Sequence, residues 1–513
     1  MSSSPHRRTR SIVTVAATLA VLVAVLAVVP APAAAVAARP TQPNIVLILL
    51  DDLDASVTPY WDAMPRTEAL LRDRGMTFTN SYAPTPICCP ARASLLTGKY
   101  GHNTGVLTNG GSQGGWETFF ENGNESQTIA TELSAAGYST MLAGKYLNGI
   151  ERAPRHVPEG WDEWYVGVDA AHNMYLGYDY TLNENGTFVR YGHDEDDYLT
   201  DVLAAKSVDF VERAEHRDAT PFFMEVSPTA PHLPLAPAPR HEDHPWADAE
   251  VPETPNYYEP DISDKPLWLQ LSARNRDLSR AWTDIDYRNR MGSLLAVDEM
   301  VADIVAALDD SGELDDTYLV FTADNGYNNG SHHLIHKMAP YEESVRVPLV
   351  IAGPGIPAGS SNRAMVLNTD LAPTFMDLAG ARVPPDVDGK SLAPLLDGGT
   401  PAGWRTRFIA QYVSGGALDG VAAEIPDFLW YLRAAEIPTY RALHTERFVF
   451  IEWHGDEEFG GRHAYELYDL KLDPYQRQNL LGSRYGLLLT PWVAALLTPQ
   501  LDALEACAGR GCP

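Results

Sequence analysis

The sequence predicts an α/β fold: a doubly wound sheet with helices on both faces, followed by a small antiparallel sheet. Three observations predict it. Asn44 to Leu50 is a continuous apolar run with β-branched members and no alternation, the mark of a strand buried on both faces in a parallel sheet. Strand-like and helical runs then alternate for some 330 residues. After roughly residue 400 short β-rich runs separated by turns replace that alternation.

The elements follow in order. After the first strand, Thr67–Arg74 reads as a helix. Ala91–Thr97 reads as a second, short one closed by Gly98. Thr128–Ala136 is expected to be helical and Tyr138–Leu142 a strand. Tyr198–Arg213 reads as a long helix and Phe222–Ser227 as a strand. His232–Arg280, rich in Pro, Trp and acidic residues, reads as a surface insertion of the kind that shapes a cleft. Met291–Asp309 is expected to be a helix, Tyr318–Thr322 and Val347–Ala352 strands, and Thr369–Ala379 a helix. Phe408–Tyr412, Tyr440–His444 and Phe448–Trp453 supply the antiparallel part. The organisation expected is a leader over 1–38, an α/β domain over 43–400, a small subdomain over 401–485 and a tail over 486–513.

The chain has 513 residues and a formal charge of −30, which argues against nucleic acid or an anionic membrane surface as partner. His6 to Arg10 form a basic n-region, Ile12 to Val29 is uncharged and apolar, and Ala35-Val36-Ala37 supplies a small-residue cleavage site. That order reads as a secretory signal cleaved near Ala37 or Ala38, with retention as an anchor the alternative. No later stretch reads as a membrane span, so an exported chain is expected. Of four cysteines, Cys507 and Cys512 are expected to close a small disulfide loop. Adjacent cysteines such as Cys88 and Cys89 rarely bond to each other, so this pair calls for a chemical explanation.

In a doubly wound sheet, ligands sit outside the carboxyl ends of the strands. Asp51-Asp52 follow the first strand and Asp324-Asn325 follow the Tyr318–Thr322 strand, so these four are expected to converge. Three carboxylates and an amide are hard oxygen donors suited to Ca²⁺ or Mg²⁺. Lysine stands at only seven positions, which makes Lys145 and Lys337, each close to a strand or turn, informative.

Cys88-Cys89-Pro90-Ala91-Arg92, continued by Leu96-Thr97-Gly98-Lys99, resembles the signature of the type I sulfatases. The resemblance covers roughly Pro43 to Gly398. It implies an alkaline-phosphatase-like fold and a Cys88 oxidised to formylglycine by a separate maturation enzyme. A thiol is a poor nucleophile toward a sulfate ester. An aldehyde hydrate offers two hydroxyls, one to attack sulfur and one to expel sulfate later. A place at a helix N-terminus favours developing negative charge. The resemblance makes Asp51, Asp52, Asp324 and Asn325 the metal ligands, completed by the side chain at Cys88. It makes Arg92 the stabiliser of the hydrate, Lys145 and Lys337 sulfate contacts, and His232 the group near the leaving oxygen. Asp54 is a further candidate ligand. His332, His333 and His336 are expected at the rim or exposed.

Many sulfatases carry a histidine two residues after the first lysine; here Leu147 stands there, and His102 or Asn148 would have to replace it. The same departure occurs in the branch of N-acetylglucosamine-6-sulfatases and extracellular heparan endosulfatases, which Lys99-Tyr100-Gly101-His102-Asn103 and Tyr198-Leu199-Thr200-Asp201 also resemble. The expected function is therefore an exported, Ca²⁺-dependent formylglycine sulfatase acting on 6-O-sulfated glucosamine-type sugars. The alternatives are a broad-specificity arylsulfatase, a phosphonate or phosphodiester hydrolase, and a non-catalytic binder of sulfated glycans with Cys88 unmodified.

Overall fold

The computed structural model describes residues 42–55, 59–215, 220–272, 276–414, 437–454 and 464–512. The leader and its cleavage site lie outside the described residues.

β1 (Asn44–Leu50) is buried at every position. Val46, Ile48 and Leu50 point into one core, and Ile45, Leu47 and Leu49 into another, so the strand lies between two apolar layers. The strands that follow are β2 (Met76–Tyr82), β3 (Ser139–Gly144), β4 (Glu163–Gly167), β5 (Thr181–Glu184), β6 (Thr187–Arg190), β7 (Phe222–Ser227) and β8 (Thr317–Ala323). A short ribbon of β9 (Asn328–Asn329) and β10 (Ile335–His336) precedes β11 (Leu349–Ala352) and β12 (Ser360–Leu367). The large sheet runs β12-β2-β11-β8-β1-β7-β3-β4-β5-β6. Its centre, β8-β1-β7-β3-β4, is parallel, while β11 and the β5–β6 hairpin run antiparallel to their neighbours.

Helices cover both faces. α1 (Cys88–Thr97), α2 (Ile129–Ala135) and, later in the chain, α5 (Leu371–Leu378) pack through Leu95, Leu133 and Phe375 on the face of Leu47. α3 (Leu199–Glu215) and α4 (Arg276–Asp310) pack through Leu203 and Leu294 on the face of Ile48. Gly98 closes α1 at φ 70°, where a Cβ would come within 2.8 Å of Val387. α4 begins inside the stretch read as an insertion, which is therefore irregular only in its earlier part. The expected helix over Thr67–Arg74 is a turn at Pro65–Thr67 followed by π-type winding over Glu68–Arg72.

The second sheet is antiparallel, in the order β13 (Arg407–Tyr412), β14 (Tyr440–Thr445), β15 (Phe448–Trp453) and β16 (Ala464–Asp469). α6 (Gly486–Glu505) rests on β13 and β14. This helix corrects the expectation that no later stretch suits a membrane: with no charge between Tyr485 and Leu501, it is long and apolar enough to cross one by length and composition. The disulfide Cys507–Cys512 follows it.

Candidate active site

Parallel pairing of β1 with β8 aligns Leu50 with Ala323, so the residues after both strands meet at one sheet edge. Asp324 N–H donates to Leu50 O at 3.1 Å, and Asp52 N–H to Asp324 Oδ1 at 3.2 Å. Asp52 takes a left-handed backbone at φ 67°, a conformation Asp tolerates better than most residues. Cys88 opens α1 behind an extended Ile87 with no side-chain cap. The expected convergence is therefore seen in the geometry, with Asp51, Asp52 and Asp324 buried together.

Three cations answer these carboxylates. Lys145 Nζ donates to Asp51 Oδ2 at 2.5 Å, Lys337 Nζ to Asp52 Oδ1 at 2.5 Å, and Arg92 Nε to Asp324 Oδ2 at 2.8 Å. Lys337 Nζ also donates to Cys88 Sγ at 2.8 Å, and Sγ donates to Asp51 Oδ1 at 3.6 Å. Arg92 Nη1 is shared between Lys145 O at 2.9 Å and Ser227 Oγ at 3.3 Å. The charges hold one another. Burial alone would raise the Asp51 carboxyl, but Lys145, His232 and Arg92 hold it well below the carboxylate range. Lys337 does the same for Asp52 against its burial. Burial opposes the charge on Lys145 and Lys337, yet the facing carboxylates raise both. The Cys88 thiol is pushed up to about 11, chiefly by burial, despite its two lysine neighbours.

Oxygen donors suited to a hard cation are present. Asp51, Asp52, Cys88 and His232 bring ligand atoms within 4.8 Å of one another. Asn325 Nδ2 donates to Asp52 Oδ1 at 2.7 Å, leaving its Oδ1 buried without a hydrogen-bond partner. Such an orphaned acceptor beside two carboxylates fits a metal ligand. Asp324 lies against this group with both oxygens already bonded, Oδ1 to the Asp52 and Asn325 N–H groups and Oδ2 to Arg92. His232 joins the cluster with Nε2 at 3.6 Å from Asp52 Oδ2. Burial, then Lys337, lower its pKa against the pull of Asp52 and Asp51. The ring packs on Tyr175, centroids 4.7 Å apart, and Lys145 Nζ lies 5.2 Å from the same Tyr175 ring.

Other expectations are redrawn. His332 is neither rim nor exposed: it is fully buried, with Nδ1 at 3.0 Å from Glu259 Oε1. His102 bonds Gln411 and stacks on Tyr100 rather than reaching Cys88. Among the described hydrogen bonds, Cys88 Sγ pairs with Lys337 and Asp51 and with neither His102 nor Asn148. Sequence reading missed Tyr175, Ser227 and Arg290. Arg290 Nη1 donates to Pro231 O at 3.0 Å and Nη2 to Asp52 O, so it ties the His232 loop to the Asp51-Asp52 turn. Its one signal is a row of polar residues, Thr283, Asp286, Arg290 and Ser293, spaced by three and four along a long helix and buried in the fold.

Residues 43–381 match the family described as Sulfatase, and residues 330–491 that described as N-sulphoglucosamine sulphohydrolase, C-terminal. The chain is 34% identical over 510 residues to an N-acetylglucosamine-6-sulfatase of Homo sapiens, covering 93% of this chain and 87% of the relative. It is 32% identical to an arylsulfatase of Volvox carteri over 93% of this chain and 76% of the relative. A structure solved in complex with its substrate D-glucosamine-2-N,6-O-disulfate superposes with a TM-score of 0.71 at 27% identity, covering 90% of this chain and 98% of that one.

Proposed function

The chain belongs to the sulfatase family and is a sulfuric ester hydrolase, and from that premise we propose that it removes 6-O-sulfate from glucosamine-type sugars. The observation that carries this reading is the near full-length similarity to the N-acetylglucosamine-6-sulfatase, through the C-terminal sheet as well as the large domain. We read Asp51, Asp52, Asp324, Asn325 and the side chain at position 88 as holders of Ca²⁺, with Mg²⁺ the alternative. The cation would draw charge from the sulfate oxygens. Conversion of Cys88 to formylglycine by a maturation enzyme would supply the paired hydroxyls that attack sulfur and later release sulfate.

The chain's other residues have distinct tasks. Arg92, one turn into α1, is held by Asp324, Ser227 and the Lys145 carbonyl, so its charge is aimed before substrate arrives. Lys145 and Lys337 stay protonated because each faces a buried carboxylate, and both would flank the sulfate. His232, braced by Tyr175 and by the Arg290 bond to Pro231, would hand a proton to the departing alcohol oxygen. A secretory leader and the disulfide support export, and the extracellular relative in Drosophila melanogaster is consistent with it.

A second reading, a broad arylsulfatase, draws on the Volvox carteri relative. Sulfate release from N-acetylglucosamine 6-sulfate and from an aryl sulfate, and alcohol release from a phosphodiester, by chain co-produced with the maturation enzyme, separate them. The proposal expects the highest kcat/KM on the sugar. Preference for the aryl ester or the phosphodiester would overturn it.

A further inference from the structure

α6 is apolar on two sides. Its inner side is buried or half-buried against the apolar core of the small antiparallel sheet through Val493, Leu497, Leu501 and Leu504. Arg441 grips its C-terminal end through Asp502 and Glu505, and Arg407 bonds Gln500. Its outer side exposes Leu488 (72%), Leu489 (56%), Trp492 (77%) and Leu496 (69%), with Tyr485 (79%) just before the helix. Those positions are spaced by three, four and seven residues, so they form one stripe along the axis. A solvated helix would carry charge there, yet nothing between Tyr485 and Leu501 is charged in a chain that is 21% charged.

We propose that this stripe is the docking surface for a second copy of the chain, packed helix against helix about a two-fold axis. Three features favour that occupant. The row Tyr485, Leu488, Leu489, Trp492 and Leu496 runs along the axis as the seam between two helices does, with Leu487 (64%) exposed beside it. It is self-complementary, as an isologous contact requires, with large aromatics to fill the gaps between leucines. Its area suffices. At ~150–250 Å² per aromatic and ~60–120 Å² per leucine, scaled by exposure, it offers roughly 350–630 Å² per copy. Two copies together reach the ~1,000 Å² of a specific interface. The formal charge of −30 does not forbid it, because the patch is neutral and salt screens charges beyond about 8 Å.

The test is sedimentation equilibrium of the purified chain and of a Leu488→Glu/Trp492→Glu variant, with sulfatase activity and melting recorded for both. The proposal expects a wild-type dimer and a dimer affinity lowered at least about a hundredfold in the variant, activity and melting being retained. Amide hydrogen exchange of wild-type residues 487–497 guards against a variant that fails to fold: protection there should rise with protein concentration. A wild type that is monomeric throughout would overturn the proposal. So would a variant that stays dimeric, or protection independent of concentration. Capture of the monomer by phosphatidylcholine vesicles with a blue shift of Trp492 would overturn it in favour of a lipid surface.

Discussion

Replacing Glu225 by Gln should stabilise the protein, and only above a certain pH. Glu225 sits on β7, 2% exposed, with Oε1 accepting from Ser227 Oγ at 3.1 Å and Oε2 without a hydrogen-bond partner. Burial pushes its carboxyl from the ordinary 4.5 up to about 7, although Arg92 and the Ser227 hydroxyl pull the other way. Between those two values the folded protein keeps a proton that the unfolded chain has lost. Stability therefore falls as pH rises from 4.5 through about 7 and levels off above. A displacement of roughly 2.5 units is worth about 3 kcal/mol at ~1.4 kcal/mol per unit. Gln has nearly the same shape and no charge to bury, so Glu225→Gln should gain about 3 kcal/mol near pH 8 and almost nothing near pH 4.5. Urea midpoints of both proteins across that range read the difference directly. A gain independent of pH, or a loss that grows toward pH 8, would refute the reasoning, because the carboxylate would then be satisfied as an anion.

Lys337→Ala removes the counter-charge of a buried carboxylate and the hydrogen bond to position 88. Breaking such a pair should cost about 3–5 kcal/mol, read by melting in chelator, and activity should fall at least about 10²-fold, read as kcat on a sulfate ester. Chelation should lower activity and melting temperature together, and Ca²⁺ should restore both; indifference to chelator would count against Asp51, Asp52, Asp324 and Asn325 as a metal site. In protein made without the maturation enzyme, the raised Cys88 thiol predicts slow alkylation at neutral pH and a steep increase only toward its value of about 11, measured with iodoacetamide.

What was legible in the sequence follows from local physics. β1, β7 and β15 have the bounds read from the chain: Asn-Ile-Val-Leu-Ile-Leu-Leu and Phe-Phe-Met-Glu-Val-Ser are buried throughout, and β15 is buried at every position after Phe448. β2 and β12 escaped notice: Met-Thr-Phe-Thr-Asn-Ser-Tyr mixes polar and apolar residues, and β12 opens on Ser-Ser-Asn-Arg near the sheet edge. α6 occupies the stretch that reads as a tail, and its Pro491 and Pro499 are accommodated within the helix. In the site, Cys88, Arg92, Asp51, Asp52, Asp324 and Asn325 were legible from motif and strand-end position. Tyr175, Ser227 and Arg290 were not, since each acts across long sequence separations that leave no local pattern. The Lys337 bond to Cys88 likewise spans 249 residues and leaves no local pattern.

The most direct test of the central claim is mass spectrometry of the peptide containing Cys88, taken from a preparation that releases sulfate. The account predicts an aldehyde or its hydrate at position 88, and loss of both that mass and the activity in Cys88→Ala. An unmodified Cys88 thiol in a fully active preparation would contradict it.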